Sequence, residues 1–406
     1  MDHLTLAKAQ AIEQEYIFTL YTQIRQPIVV VRGQGALVWD AQGKEYLDLV
    51  SGGRAVTGVG HCHPRVVEAI QRQAGELIHM TNDFYTEPQM ELARMLGGLS
   101  SCRRVFLCNS GAEANEAAIK LARKWAKLKH GPLKFEIITA LNSFHGRTLA
   151  TITATGQPKY QQGFEPLVPG FRYVPYNDLP TLKEAMRTHV CAVMLEPVLG
   201  ESGVYPATQE YLHGARELCD QHGALLILDE VQTGLGRTGK MFAFQHYDLE
   251  PDIFTLAKGL GGGVPIGAML AKESAAVFEP GDHASTFGGT PLTAAAAVAT
   301  LKVIEEEGLV ENARAMGAYL VDGLRSLQAT HSVIAGIRGI GMMIAADLAQ
   351  PIAGKLRADC LQRGLLINIV GNSMLRLIPP MVLTREQADR AISILDESLA
   401  QVVAAA

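Results

Sequence analysis

Lys258 stands between an apolar segment and a run of glycines, in the sequence Thr255-Leu256-Ala257-Lys258-Gly259-Leu260-Gly261-Gly262-Gly263. The amine of a lysine is the side-chain group that forms a Schiff base with a carbonyl compound. Glycines beside it would let another molecule come close to that amine. The same pattern also suits a solvated lysine before a flexible loop, so this segment alone leaves both interpretations open.

A second apolar segment, Leu225–Leu228, ends in the carboxylate of Asp229, and Val231 and Gln232 follow it. A buried carboxylate requires a cationic or hydrogen-bonding partner. Asp229 could therefore keep the ring nitrogen of a cofactor protonated, or it could cap a turn. In the first case Gln232 would lie on the same wall of the site.

A third apolar segment, Val105–Cys108, leads into a helical pattern that begins at Ser110-Gly111-Ala112-Glu113. Ser110 and Glu113 have the spacing of a capping box, which predicts the start of the helix. The free backbone amides at a helix start can bind an anion, and Gly111 would leave its amide accessible. The segment is thus either a phosphate cradle or a simply capped helix.

An aromatic ring and a guanidinium share one short segment, Ser143-Phe144-His145-Gly146-Arg147-Thr148. Arginine can bind a carboxylate through two hydrogen bonds, and an aromatic ring can stack on a planar cofactor. Phe144 and Arg147 are therefore candidate binding residues. The alternative is a surface arginine beside a packed phenylalanine.

Two familiar motifs match in spacing but lack groups or structural context that their functions require. Gly234–Lys240 matches both GxGxxG and GxxxxGK, but Met241 stands where a phosphate-binding loop needs a hydroxyl. The segment also neither follows its strand directly nor opens a helix, so we expect a loop. His61-Cys62-His63 has no second cluster to complete a metal site, so we expect a turn leading into a helix at Pro64 and no metal.

From about residue 100 to 270, short apolar segments alternate with amphipathic ones. This alternation favours a parallel sheet with right-handed helical crossovers, buried on both faces. In such folds functional groups gather at the carboxyl ends of the strands. The expected strands are Val105–Cys108, Glu136–Ala140, Cys191–Leu195, Ala224–Leu228, Ile253–Leu256 and Gly267–Leu270; the expected helices include Ala114–Lys127 and Tyr211–Gln221.

The flanking regions have a different character. Residues 25–50 alternate like a small meander, and one long helical pattern runs from Pro291 to about Leu327. Strand-like segments at Gly336–Asp347 and Leu365–Leu377 precede a closing helix from Glu386. We therefore expect an α/β chain with a large domain at 56–300 and a smaller α+β domain formed by 1–55 and 301–406.

The overall composition excludes several classes of function. The 406 residues are 48% hydrophobic, with a net charge of −5 and no long basic run, so nucleic acid is not an expected partner. No apolar stretch is long enough to cross a membrane, and the first residues lack the features of a leader peptide. Six scattered cysteines without a CxxC pair are typical of free thiols. We expect a cytoplasmic protein.

Together these motifs resemble the class III (omega-amino acid) aminotransferases, pyridoxal-phosphate enzymes of fold type I. The resemblance covers about residues 20–400, and within the family it is strongest to the acetylornithine branch. It rests on linked segments in the same order, Gly60–Pro64, Asn82–Pro88, Asn109–Glu116, Ser143–Thr148, Leu228–Gly239, Thr255–Gly263, Ser285–Gly289 and Leu375–Pro380. It implies a large domain with a mainly parallel seven-stranded sheet and a smaller α+β domain.

The resemblance also implies roles for individual residues around pyridoxal 5'-phosphate. Lys258 would hold the cofactor covalently and move the proton, Asp229 would pair with the ring nitrogen, and Gln232 would contact the phenolic oxygen. Phe144 would stack on the ring. The remaining cofactor residues would be Ser110, Gly111, Ala112, Val231 and, reaching the phosphate of the neighbouring subunit of a homodimer, Thr286.

For substrates, the resemblance implies two carboxylate-binding arginines. Arg147 would hold the α-carboxylate of the amino donor, and Arg376 a carboxylate of 2-oxoglutarate or glutamate. Glu201 would pair with Arg376 and mask it, and Ser285 would lie near the substrate. Arg54 departs from the family, where a small aliphatic residue is usual; it could add a cationic contact or pair at a dimer interface.

The expected reaction is a ping-pong transfer of the terminal amino group of N2-acetyl-L-ornithine to 2-oxoglutarate, in arginine biosynthesis. Alternatives with the same chemistry are ornithine, succinylornithine, 4-aminobutyrate or a carrier-bound aminoadipate semialdehyde as donor. Ornithine is disfavoured because a tyrosine close to Gly53 in ornithine aminotransferases is missing here. A remote alternative is a nucleotide-dependent oxidoreductase using Gly234–Gly239.

Overall fold

The computed structural model describes residues 3–404. Its strands, in chain order, are β1 (Val30–Gln34), β2 (Leu37–Asp40), β3 (Glu45–Asp48), β4 (Arg104–Cys108), β5 (Glu136–Ala140), β6 (Phe171–Val174), β7 (Val190–Leu195), β8 (Val198–Leu199), β9 (Tyr205–Pro206), β10 (Leu225–Asp229), β11 (Ile253–Leu256), β12 (Gly267–Ala271), β13 (Ile334–Ile340), β14 (Met343–Leu348), β15 (Leu365–Leu366), β16 (Asn368–Ile369) and β17 (Met374–Leu377).

The α-helices alternate with these strands through the middle of the chain. In chain order they are α1 (Leu6–Tyr16), α2 (Pro64–Glu76), α3 (Glu87–Gly98), α4 (Gly111–His130), α5 (Leu149–Ala154), α6 (Pro158–Gln161), α7 (Leu179–Ala185), α8 (Gln209–His222), α9 (Pro291–Glu306), α10 (Leu309–Thr330), α11 (Ala353–Gln362) and α12 (Arg385–Ala404).

A seven-stranded sheet forms the centre of the molecule, in the order β4-β12-β11-β10-β7-β5-β6. β12 runs antiparallel to both of its neighbours, and the other pairs are parallel. Every residue of β7 and β10 is buried, because helices cover both faces. The predicted α/β fold with a mainly parallel seven-stranded sheet is confirmed.

The six strands expected in the central sheet agree with the observed ones to within a residue at each end, whereas the strand-like segment Gly336–Asp347 is the hairpin β13-β14 and Leu365–Leu377 divides into β15, β16 and β17. The edge strand β6 was not anticipated, because three of its four residues are only partly buried and its apolar signal is weak. The cap at Ser110 predicted the start of α4 correctly, although the range Ala114–Lys127 named for this helix is shorter than the observed one. α8 begins two residues before the expected Tyr211, directly after the capping residue Thr208.

Strands from the two ends of the chain share one sheet, in which β15 pairs with β3 in parallel and β1-β2-β3 form the expected meander. A further sheet, β13-β14-β17-β16, comes from the C-terminal part alone. The domain boundaries at 55 and 300 remain a prediction, and the ends of the two outer ranges, residues 1–2 and 405–406, lie outside the described residues.

The single long helix expected from Pro291 to about Leu327 is wrong. The structure has two helices, α9 and α10, separated at Glu307-Gly308. Gly308 has a φ of 64°, in the left-handed region that stops an α-helix and that glycine adopts at low cost. The apolar periodicity continues across the break because both helices pack on the same core, so the pattern alone concealed it.

Within residues 3–404, no helix is long and apolar enough to cross a membrane. The same range contains no group of three or more acidic, histidine or cysteine side chains arranged to hold a metal ion. The Gly234–Gly239 segment is a succession of turns that leads into a short 3₁₀ helix, as expected for a loop. His61 contacts Asp48 and His63 contacts Glu307, so the two histidines point to different partners.

Candidate active site

The carboxyl ends of the parallel strands and the start of β12 meet at one edge of the central sheet, where they enclose a cavity of about 430 Å³. Asp229 ends β10, and Lys258 lies two residues beyond its neighbour β11. The cavity is lined by Val56, Asn109, Ser110, Gly111, Ala112, Asn115, Phe144, His145, Gly146, Arg147, Glu196, Glu201, Asp229, Val231, Gln232, Ala257, Lys258, Gly263, Val264, Pro265 and Ile266.

Lys258 opens a short 3₁₀ turn immediately after β11, with a φ of 36°. A positive φ is costly for a residue with a side chain, so the surrounding structure must hold it in place. Burial lowers the pKa of the lysine, and the negative charges of Glu201 and Asp229 only partly oppose that effect. The amine thus lies in a cavity that favours its neutral, nucleophilic form.

Asp229 is buried and held by donors on both of its oxygens. Asn115 Nδ2 donates to Oδ2 at 2.7 Å, and His145 Nδ1 lies 2.9 Å from the same oxygen. The backbone amide of Val231 donates to Oδ1 at 3.0 Å. The carboxylate is therefore fixed in orientation and faces the cavity as an acceptor.

The expected serine cap at the start of α4 is present, but the Glu113 half of the capping box reaches one residue further back, to Asn109 instead of Ser110. Ser110 Oγ accepts from the amide of Glu113 at 3.2 Å, and the Glu113 carboxylate accepts from the amide of Asn109 at 2.7 Å. A Cβ at Gly111 would lie 2.8 Å from a methyl group of Val231, so only glycine lets the helix start approach that wall. The amides of Gly111 and Ala112 line the cavity, where a helix N-terminus favours an anion.

Phe144 and Gln232 contribute to the side walls of the cavity. The backbone amide of Phe144 donates to Glu196 Oε1 at 2.8 Å, and its ring packs edge-on against Tyr160 with centroids 6.0 Å apart. Gln232 donates through Nε2 to Glu201 Oε1 at 3.1 Å. Its Oε1 is buried and has no hydrogen-bond partner in residues 3–404, so it can accept a hydrogen bond from a bound molecule.

Arg147 lies at the exposed side of the cavity. Its guanidinium stacks 3.9 Å from the ring centroid of Tyr160 and 5.6 Å from that of Phe144. No carboxylate of the described chain lies within 4.0 Å of it. The cation is oriented by aromatic rings while its hydrogen-bond donors remain available to a carboxylate ligand.

Glu201 joins two arginines. Its Oε1 lies 3.2 Å from Nη1 of Arg376, which is 1% exposed, and its Oε2 accepts from Nη1 of Arg54. Burial alone would raise the pKa of Glu201, but Arg376, Lys258 and Arg54 together lower it to about 2. The sequence-based pairing of Glu201 with Arg376 is present, and Arg54 pairs with the same carboxylate within the same chain.

The two residues predicted to approach from the segment 285–289 do not line this cavity. Ser285 Oγ accepts from Asn109 Nδ2 at 3.2 Å and from the Gly288 amide at 3.0 Å. Thr286 and Phe287 are exposed to solvent. The contact predicted between Thr286 and the phosphate of a neighbouring subunit stays a prediction.

Sequence reasoning assigned no role to three residues that hold the site together, Asn115, His145 and Glu196. Asn115 also receives a hydrogen bond from Thr255 at 2.7 Å and so links β10, β11 and α4. The signal for Asn115 was a lone polar residue on the alanine face of α4. Burial raises the pKa of Glu196 to about 7, and Asp229 adds to that effect while His145 opposes it.

The residues of the cavity fit pyridoxal phosphate. A volume of about 430 Å³ is within the range of small-molecule sites. The cavity presents an amine, a buried carboxylate, helix-start amides and the unpartnered Oε1 of Gln232. The amine would react with the aldehyde, and the carboxylate would pair with the ring nitrogen. The helix-start amides would bind the phosphate, and Oε1 of Gln232 would accept a hydrogen bond from a donor on the ring.

Comparison with known proteins gives one consistent result. Residues 21–399 match the family model described as "Aminotransferase class-III". The chain is 52% identical to an acetylornithine aminotransferase from Caldanaerobacter subterraneus, covering 96% of this chain and 98% of the relative. It is 48% identical to one from Methanocaldococcus jannaschii, with 96% and 98% coverage.

Solved structures agree with this result. The ornithine aminotransferase from Toxoplasma gondii superposes with a TM-score of 0.95 at 35% identity, covering 100% of this chain and 97% of that one. The N-acetylornithine aminotransferase from Stenotrophomonas maltophilia superposes with a TM-score of 0.83 at 41% identity, with 96% and 100% coverage.

Proposed function

This chain belongs to the class III aminotransferases, pyridoxal-phosphate-dependent transaminases, and from that premise we propose that it transfers the terminal amino group of N2-acetyl-L-ornithine to 2-oxoglutarate. The products are N-acetyl-L-glutamate 5-semialdehyde and L-glutamate. Identity of 45–52% to curated acetylornithine aminotransferases over nearly the whole chain is the observation that carries the choice of donor.

Pyridoxal phosphate, when bound, supplies an electron sink that stabilises negative charge on the carbon bearing the amino group. Lys258 holds the cofactor and then acts as the acid–base that moves the proton at that carbon. Asp229 keeps the ring nitrogen protonated, and Gly111 and Ala112 bind the phosphate. Phe144 and Gln232 orient the ring, with Ser110 and Val231 completing the cofactor contacts.

The two arginines divide the substrates between them. Arg147 binds the α-carboxylate of the amino donor, and its available donors and stacking on Tyr160 support that role. Arg376 binds a carboxylate of glutamate or 2-oxoglutarate. While Glu201 covers Arg376, the neutral acyl-ornithine chain is accepted; once Glu201 withdraws, a diacid can bind. Ser285 would lie near the substrate, a role supported only by its hydrogen bond with Asn109, which lines the cavity.

We also propose a cytoplasmic homodimer with shared active sites. The exposure of Thr286 and Phe287 on a segment next to the cavity supports this assembly, since in it Thr286 would reach the phosphate of the neighbouring subunit. The free state of the six cysteines supports a reducing compartment.

Ornithine is the second candidate donor, favoured by the close superposition on the Toxoplasma ornithine aminotransferase. Ornithine carries a free α-amine, which would place a second cation near Arg147 and Arg54, whereas the acetylated amine of acetylornithine is neutral. The charges at the cavity therefore favour the acylated donor.

The test is a single-turnover comparison of amino donors on the cofactor-loaded enzyme. The reaction of each donor is measured from the change in the absorbance of the bound cofactor. N2-acetylornithine should react with a specificity constant at least tenfold above those of ornithine, N2-succinylornithine and 4-aminobutyrate, a difference of about 1.4 kcal/mol. Faster reaction with ornithine would replace the proposed donor. No reaction with any of the four would refute the proposed function.

A further inference from the structure

Arg54 is held in place by a tightly anchored loop, although its side chain is 51% exposed. The loop runs from Ser51 to Ala55 and contains Gly52 and Gly53 with φ of 67° and 110°. Asp48 Oδ2 accepts from the amide of Gly52 at 2.7 Å, and Oδ1 from that of Val50 at 2.7 Å.

Other parts of the fold hold the same loop from further sides. His61 lies 2.7 Å from Asp48, and the buried Arg237 donates to Ser51 Oγ at 3.2 Å. Asn368 donates to the carbonyl oxygen of Gly53 at 3.4 Å. The backbone of Arg54 is therefore positioned by several independent contacts, and its ion pair with Glu201 follows from the fold.

Glu201 occupies the boundary between the cofactor cavity and an outer cleft. Glu201 lines the cavity, and Arg54 lines the cleft formed by the N-terminal segment and residues 48–61 and 357–369. Val56 lines both. Glu201 thus has a buried arginine, Arg376, on one side and an accessible arginine, Arg54, on the other.

Arg376 keeps hydrogen-bonding capacity beyond Glu201. Its Nη1 donates to the carbonyl oxygen of Gly200 at 2.7 Å, while its Nε is buried without a partner in the described chain. A diacid that binds Arg376 would have to displace Glu201. A displaced buried carboxylate without a cation would be strongly unfavourable, so the exchange needs a second partner for Glu201.

We propose that Arg54 is a positioning residue that keeps Glu201 paired while Arg376 binds the diacid, and so sets the affinity for 2-oxoglutarate and glutamate without touching either. This inference rests on the proposed function, in which those diacids are the second pair of reactants. Arg54 acts through Glu201: it lowers the cost of uncovering Arg376, and it has no part in binding the acyl-ornithine donor.

The test compares Arg54→Met, which keeps the length of the side chain and removes its charge, with Arg54→Lys and the wild type. Arg54→Met should raise the KM for 2-oxoglutarate roughly three- to tenfold, the scale for a half-exposed ion pair. Its kcat and its KM for acetylornithine should stay within about twofold, and Arg54→Lys should restore most of the affinity. The dissociation constant for glutarate, a diacid that cannot react, should rise by the same factor.

A double variant separates the indirect role from direct binding. With Glu201→Gln already present, Arg54→Met should change neither the KM for 2-oxoglutarate nor the glutarate affinity, because the carboxylate through which it acts is gone. Arg325→Met, which removes an exposed arginine from a pair with Asp322 on α10, is the matched control and should have no effect.

Three results would overturn the inference. The first is an unchanged affinity for the diacid in Arg54→Met, and the second is a raised KM for the donor instead. The third is an effect of Arg54→Met that persists in the Glu201→Gln background, which would mean that Arg54 binds the acid itself. Failure of the proposed function looks different, because then the wild-type enzyme would not react with glutamate or with acetylornithine at all.

Discussion

His145 lies behind Asp229, with its Nδ1 2.9 Å from the Asp229 Oδ2. Asn115 donates to the same oxygen at 2.7 Å. Both side chains are buried, and neither approaches Lys258 by any hydrogen bond of the described chain. The carboxylate that we propose serves the cofactor is therefore held in place from the protein interior, independently of the lysine.

Asp229→Asn should slow transamination far more than it destabilises the fold. Replacing the carboxylate by an amide turns one of its two acceptor oxygens into a hydrogen-bond donor. That new donor would face either the donors of Asn115 and His145 or the backbone amide of Val231, and the hydrogen bonds on that side would be lost. We expect a loss of about 1–3 kcal/mol in the free energy of unfolding and a fall in kcat of roughly 10²-fold or more, since a charge at the reacting centre is lost.

The matched control is Asp252→Asn at the opposite end of the same sheet. Asp252 accepts from Arg216 and from the amide of Leu226, at 2.7 and 2.8 Å, so its replacement should also destabilise the fold. Its kcat should remain normal. Equal rate losses in the two variants would contradict the role of Asp229 at the ring nitrogen.

Lys258→Ala should abolish transamination and leave the fold intact. The variant loses both the covalent anchor and the acid–base, a group that contributes roughly 10²–10⁴-fold by itself, and should release pyridoxal phosphate on dialysis. Thermal unfolding of the cofactor-free protein checks the fold. Lys240→Ala, at an exposed lysine after the glycine loop, should behave as wild type; turnover near normal in Lys258→Ala would reject the assignment.

Thr286→Ala should weaken the retention of the cofactor across the subunit interface. In mixed dimers of Lys258→Ala and Thr286→Ala chains, one site would receive an intact Lys258 and an intact Thr286 from different subunits. That site should retain the cofactor as tightly as wild type. If Thr286 served the site of its own chain, the mixed dimer would contain no intact site, and cofactor retention would remain weak.

Glu230 should make stability depend on pH near neutrality. Burial raises its pKa to about 7, against the opposing hydrogen bonds of Thr233 and of the backbone amides of Ala243 and Phe244. The folded protein therefore binds this proton more tightly than the unfolded chain does. The stabilisation is complete below about pH 4.3 and is lost as the pH rises to about 7.

In Glu230→Gln the side chain at this position is neutral at every pH, so the variant should not lose this stabilisation as the pH rises. Relative to wild type, the free energy of unfolding of the variant should rise by about 3 kcal/mol between pH 4.3 and 7, at 1.36 kcal/mol for each pKa unit. Urea unfolding at several pH values measures it. The exposed Glu217→Gln is the control, and parallel curves for wild type and Glu230→Gln would contradict the assignment.

The central sheet could be predicted because its strands are local and strongly apolar. β5 and β11 have the expected bounds, and the capping residues Ser110 and Glu113 marked the start of α4. The break at Gly308 could not be predicted from periodicity, since both helices face one core. The antiparallel direction of β12 likewise depends on a chain reversal after Lys258 that its apolar composition does not encode.

The sequence by itself determined the candidate groups of the site. Lys258, Asp229 and the helix start at Gly111 could each be picked out by local rules about strands, caps and glycines, and each taken alone left a second interpretation open. It also determined the family, through linked motifs in one order. From the sequence, Arg54 could be recognised only as a departure from the family pattern. Two roles remained open for it, a cationic contact in the site or a pair at a dimer interface.

Only the tertiary structure determined which charged side chains form pairs with each other. Glu201 lies 147 residues from Arg54 in the chain and 175 from Arg376, yet it contacts both guanidinium groups. Asn115 and His145 hold Asp229 from separate elements in the same way. Such contacts depend on the distance between elements after packing, and the energy of each pair depends on burial, which no local pattern specifies.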